Sequence, residues 1–99
     1  MAEAETEGDN WQGLVILGKT RAGGRFRPSD WCERLHGVLR ALDEEDAAEF
    51  ADMVRLVNYE GNKAVWIDRR LQGANEQLFN FFSRFADDNQ LQTVRVLHL

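Results

Sequence analysis

The chain has 99 residues, 43% of them hydrophobic and 29% charged, a length that suits one domain burying roughly 60–65% of its unfolded surface and excludes a two-domain enzyme. Its single cysteine can neither close an internal disulfide nor supply a CxxC metal pair, so the expected setting is the cytoplasm, with no metal and no cofactor. The net charge of −5 sits mostly at the start, where Glu3, Glu5, Glu7 and Asp9 meet no base in the first ten residues; the other thirteen acids face twelve bases, a net of −1 that lacks the basic excess of general nucleic-acid binders.

Residues 1–10 are too polar and like-charged to repay the entropy of ordering, and are expected to form a disordered acidic tail before a single domain over 11–99. No apolar run nears the ~20 residues that span a bilayer, and the acidic start is unlike a signal peptide, so no membrane partner is expected. Leu14, Val15, Ile16 and Leu17, bounded by Gly13 and Gly18, predict a buried first strand. Lys19 to Arg27 holds Gly23, Gly24 and four bases without helical period, which reads as a loop or small hairpin. Pro28, Ser29 and Asp30 then signal a helix start, and Trp31, Leu35, Val38, Leu39 and Leu42 form one apolar stripe along it.

The acidic stretch Asp43 to Asp52 is read as a short second helix. Met53 to Tyr59 and Lys63 to Asp68 are strand-like runs separated by Glu60, Gly61 and Asn62, a hairpin. Asn75 can cap a last helix whose core face is expected to carry Leu78, Phe81, Phe82 and Phe85, with Phe79 on its flank. Thr93 to Leu99 alternates as a final strand with Val94 and Val96 as the core pair. The resulting βαββαβ order predicts an α+β split ferredoxin-like (alpha-beta plait) sandwich: a four-stranded antiparallel sheet with two helices on one face.

The run Phe26, Arg27, Pro28, Ser29, Asp30, Trp31, followed by Glu33, Arg34 and Leu35, resembles a small proteobacterial family of uncharacterised domains. Asp68, Arg70 and Leu71, then Asn80, Phe81, Phe85, Ala86, Asp88, Asn89 and Leu91, look like the closing segment of that family. The resemblance spans most of residues 14–94, implies an alpha-beta plait and supplies no catalytic residues. The acidic stretch Asp43 to Asp52 departs from the family pattern, which is more often basic and proline-containing there.

Gly13 to Thr20 fits the letters GxxxxGK[ST], but its four variable residues read as a strand and no helix can start at Lys19, so a phosphate loop is rejected. Cys32 and His36, four apart on a helix, are read as a half-buried thiol beside a flank imidazole rather than a metal pair or reactive thiol. Arg21, Arg25 and Arg27 form the candidate loop for an anion or a partner, while Arg69 and Arg70 are expected at the opposite end of the sheet. Val54, Leu56, Val65 and Ile67 should face the helices, which sends Arg55, Val57, Tyr59 and Trp66 to the open sheet face as a candidate interaction surface.

The expected function is a bacterial, non-catalytic protein-interaction or ligand-binding module, acting on a protein partner or through homodimerisation, with a small anionic ligand as a further contact. The alternatives are a small enzyme built on polar residues such as Arg27, Ser29, Asp30, Asp68 and His98, or an amino-acid or anion sensor. A single-stranded RNA binder ranks below both, because the glycine-and-aromatic signature of that class is missing from Lys63 to Asp68.

Overall fold

The computed structural model describes residues 11–26 and 30–97. The tail over 1–10, Arg27, Pro28 and Ser29 of the motif, and His98 and Leu99 lie outside that range. The chain forms β1 (Gly13–Thr20), α1 (Trp31–His36) running into a 3-10 turn (Gly37–Ala41), α2 (Glu44–Phe50), a further 3-10 turn (Ala51–Met53), β2 (Val54–Tyr59), β3 (Asn62–Asp68), α3 (Arg70–Ala74), α4 (Glu76–Asp88) and β4 (Leu91–Val96). The sheet order is β2-β3-β1-β4, antiparallel throughout. This is the order of the ferredoxin-like plait expected from the sequence.

Leu14 and Ile16 of β1, Val54 of β2, and Val65 and Ile67 of β3 pack in one core with Trp31, Leu35, Phe50, Leu71 and Phe82. All the helical core residues belong to that cluster, so the described helices share one face of the sheet. Strand register explains the side taken: Ile16 opposes Val65, Leu14 opposes Ile67 and Leu56 opposes Val65, and directly opposed residues share a face. Leu56 points to the helix side as expected, yet it is 45% exposed because edge strand β2 reaches past the helices.

The stripe from Trp31 to Leu42 is not one α-helix. Gly37, a poor helix former, begins a tighter 3-10 turn, which still delivers buried Leu39 and half-buried Val38 and Leu42 to the core. The expected acidic helix is present as α2, capped by the Asp43 carboxylate, which accepts from the Asp46 N–H at 2.9 Å. Asn75 caps α4 in the same way, accepting from the Leu78 N–H at 3.0 Å.

Two expectations about core faces are corrected. On α4 the buried residues are Leu78, Phe79, Phe82 and Ala86, with Phe85 partly buried, while Phe81 is 43% exposed. At 100° per residue Phe79 and Ala86 flank the Leu78–Phe82 line on the side that meets the sheet, and Phe81 flanks it on the outer side. On β4, Val94 opposes Val15 and Val96 opposes Gly13, which puts both valines on the face away from the helices. The helix-side core residue of this strand is fully buried Leu91, two residues before the strand was expected to begin.

Trp31 anchors the helix side. It is 4% exposed, stacks on Phe85 at 6.3 Å between ring centroids and meets Phe26 edge-on at 5.8 Å. Its indole lies over Gly18 of β1, where an added Cβ would stand 2.6 Å from Nε1. Trp31→Ala is expected to cost about 3–5 kcal/mol in the urea midpoint, whereas Phe81→Ala at the exposed position should change stability by less than about 1 kcal/mol.

Candidate interaction surface

The other face of the sheet carries a second apolar cluster: Val15, Leu17, Tyr59, Ala64 and Val96, with Val57, Trp66 and Val94 packed against it. None of these residues is on a described helix. Period-two alternation along β1 produces this arrangement, since Leu14 and Ile16 go one way and Gly13, Val15 and Leu17 the other. A strand with valine and leucine on one side and leucine and isoleucine on the other is built to be covered twice.

Trp66 supplies much of that cover. Its indole lies against Gly13, where any Cβ would collide with the indole nitrogen. The Arg55 guanidinium, its direct cross-strand neighbour, sits 5.4 Å from the ring centroid and donates to the Asp52 carbonyl at 3.2 Å. The indole N–H is shielded from solvent and has no acceptor among the described residues; an unmade bond of this kind typically costs about 1–3 kcal/mol. The site is therefore an apolar patch with a polar margin, where Val57, Trp66 and Val94 remain half-exposed and Arg55 is exposed.

All four surface residues expected from the sequence lie on this face, but not equally. Tyr59 has turned into the cluster and is 8% exposed, leaving Arg55, Val57 and Trp66 at the surface. Val94 joins them, a residue that strand alternation had assigned to the core. The missing signal was the face, because alternation pairs residues without saying which side the helices take.

The loop arginines do not converge. Lys19 to Phe26 folds back as a small hairpin, with a Lys19–Arg25 bridge and the Thr20 N–H donating to the Gly24 carbonyl at 2.7 Å. Arg21 leaves on one side and pairs with Asp87 of α4 at 2.7 Å. Arg25 leaves on the other, into a cleft of about 200 Å³ beside Trp31 and Lys63, and Arg27 is outside the described residues. At the far end of the sheet, Arg70 donates to both oxygens of Asp68, at 2.9 Å from its N–H and 2.9 and 3.1 Å from its guanidinium. Burial alone would raise the Asp68 carboxyl, but these bonds outweigh it and hold the group below the ordinary aspartate value.

Cys32 is 1% exposed, and burial, reinforced by nearby Glu33, pushes its thiol up to about 12 despite Lys63. A protonated thiol is no nucleophile at neutral pH. Lys63 instead pairs with Glu33 at 3.0 Å, tying α1 to β3, and its hydrogen bond draws the Glu33 carboxyl below its usual value.

The seat of Trp66 is directly testable. Gly13→Ala should destabilise by about 1–3 kcal/mol in the urea midpoint, as overpacking does. Gly24→Ala, whose methyl would meet only Thr20 Oγ1 at 3.5 Å, should stay within about 0.5 kcal/mol.

A family described as proteins of unknown function, DUF3579, has a model that matches residues 10–96. A solution structure described as the first structural representative of its family is 30% identical in sequence, with 91% of this chain and 83% of that one aligned at a TM-score of 0.76. No curated protein matches. The match to the family model over nearly the whole described domain, on a shared plait, establishes that this chain belongs to the DUF3579 family.

Proposed function

We propose that the domain is a non-catalytic, cytoplasmic bacterial interaction module that associates with a second copy of itself through the helix-free face of its sheet. The observation that carries this reading is the second apolar cluster, which leaves Val57, Trp66 and Val94 half-exposed across a face that no described helix covers. Apolar sheet surface of this kind is normally covered by a partner, because an apolar centre with a polar margin is the anatomy of protein interfaces. A second copy fits because the centre carries no net charge to repel its own image, and a two-fold axis makes such a patch complementary to itself.

Three further observations support the reading. The buried, protonated Cys32 suits a reducing compartment. No helix among the described residues is long and apolar enough to cross a membrane. Asp68, the best-placed carboxylate of the enzyme alternative among the described residues, is engaged by Arg70.

Sedimentation velocity over a wide concentration range tests the proposal. The wild type should shift toward a dimer with rising concentration, and Val57→Glu, a change at a half-exposed edge-strand position, should hold the protein as a monomer with its fold intact. A wild type that stays monomeric throughout overturns self-association, and the face would then belong to a different protein.

A further inference from the structure

The sheet ends at β2 on one side and β4 on the other, and the two edges are finished differently. An edge strand carries unpaired N–H and C=O groups that another chain can pair with, and proteins guard such edges with bulges, prolines, lysines or other charge. β4 is irregular: β1 shifts register against it between Ile16 and Thr20, and Thr93 and Arg95 stand exposed along it. β2 pairs with β3 without a break from Val54 to Tyr59 and contains neither proline nor lysine. Its one charged side chain, Arg55, lies over the Trp66 ring. Apolar side chains are bare on both of its faces, Leu56 at 45% exposure on the helix side and Val57 half-exposed on the other.

The hairpin turn fixes which backbone groups this edge presents. Glu60 and Gly61 have φ of 51° and 82°, the type I′ geometry of a two-residue turn, whose closing pair, here Tyr59 and Asn62, exchanges hydrogen bonds. Antiparallel pairs alternate from there, so Arg55, Val57 and Tyr59 direct their backbone groups to β3 while Leu56 and Asn58 turn theirs outward. The far end of β3 agrees: the Arg69 N–H donates to the Gln12 carbonyl at 2.9 Å, continuing the β1–β3 ladder in the same phase.

We infer that β2 pairs antiparallel with β2 of a second copy across a two-fold axis at Val57, joining the two sheets edge to edge. Such an axis keeps the helices of both copies on one side, so each residue opposes one from the same face, and like charges directly opposite destabilise. Charge then selects the register. Centring on Arg55 sets guanidinium against guanidinium, centring on Leu56 sets Asp52 against Glu60, and centring on Asn58 lays β2 against the turn. Centring on Val57 opposes no like charges: Arg55 meets the second copy's Tyr59, and Val57 meets its own image. Leu56 and Asn58 exchange hydrogen bonds with the second copy's Asn58 and Leu56, while the exposed leucines meet diagonally across the axis. This contact runs along the strand edge and leaves Trp66 uncovered, so it is separate from the face proposed above, and the two together carry assembly past the dimer.

Amide hydrogen exchange on the full chain, read by NMR beside sedimentation velocity, tests the inference. The Leu56 and Asn58 amides should exchange fast in dilute protein and slow by about tenfold or more in concentrated protein, because the pair must then open first. The Arg55 and Val57 amides, bonded to β3, should be protected throughout. Leu56→Lys, at a position exposed in the single copy, brings two charges together across the axis; it should restore fast exchange at Asn58 and stop assembly at the dimer formed by the face. Val57→Glu strikes both contacts and should leave a monomer. Association with the Leu56 and Asn58 amides still unprotected overturns the edge contact and leaves the face standing. Protected amides in a wild type that stops at a dimer, with Leu56→Lys monomeric, support the edge and remove the face. Assembly and protection unchanged in Leu56→Lys, or a wild type monomeric at every concentration, would overturn the inference.

Discussion

The fold rests on β1, a central strand buried on both sides. Val15 and Ile16 are each 0% exposed although they point in opposite directions, so both faces of the sheet must be closed by something apolar. The strand solves this with two glycines and two tryptophans. Gly18 gives up its side chain to seat Trp31 from α1 on the helix side, and Gly13 does the same for Trp66 from β3 on the other. A methyl group at either glycine would push a large ring off the strand, which couples two close glycine–tryptophan contacts to the two faces of the sheet.

The two closures are not equivalent. On the helix side α1, α2, α3 and α4 all contribute buried residues, among them Leu35, Phe50, Leu71 and Phe82. On the other side the cover among the described residues comes from within the sheet itself, chiefly Trp66 with Arg55 across it and Tyr59 turned inward. The helical layer is also narrower than the sheet, leaving Leu56 exposed at one edge and Thr93 and Arg95 at the other. One shortfall leaves apolar surface on the helix-free face; the other leaves the β2 edge open. Both features follow from one geometric fact, a four-stranded sheet served by a single, incomplete layer of helices.

Much of this was legible in the sequence. Alternation in the central hairpin placed Arg55, Val57, Tyr59 and Trp66 on one face because the turn at Glu60 and Gly61 fixes register, with both residues at positive φ. The caps at Asp43 and Asn75 were readable because a short polar side chain before an apolar-patterned run has one economical use. What escaped was whatever depends on choosing between two faces. Val94 and Val96 alternate equally well toward either side, and only pairing with Val15 and Gly13 decides it. Phe79 and Phe81 sit on opposite flanks of one helical line, and packing against the sheet selects Phe79. The Arg95 guanidinium over the Trp11 ring was invisible for a related reason: the two are 84 residues apart in sequence, and they meet only because β4 lies beside the start of β1. The loop arginines looked like one cluster in sequence, yet a hairpin sends neighbouring side chains apart, so Arg21 and Arg25 serve different surfaces.

The central claim is that the helix-free face, and Trp66 in particular, is where this domain meets its own copy. Fluorine NMR of protein containing fluorotryptophan tests it most directly, since the chain has three tryptophans that report the start of β1, the helix-side core and the open face separately. With the Trp66 line assigned through Trp66→Phe, that line should move as the protein is concentrated while those of Trp11 and Trp31 hold still. A Trp66 line that stays fixed from dilute to concentrated solution would contradict the account.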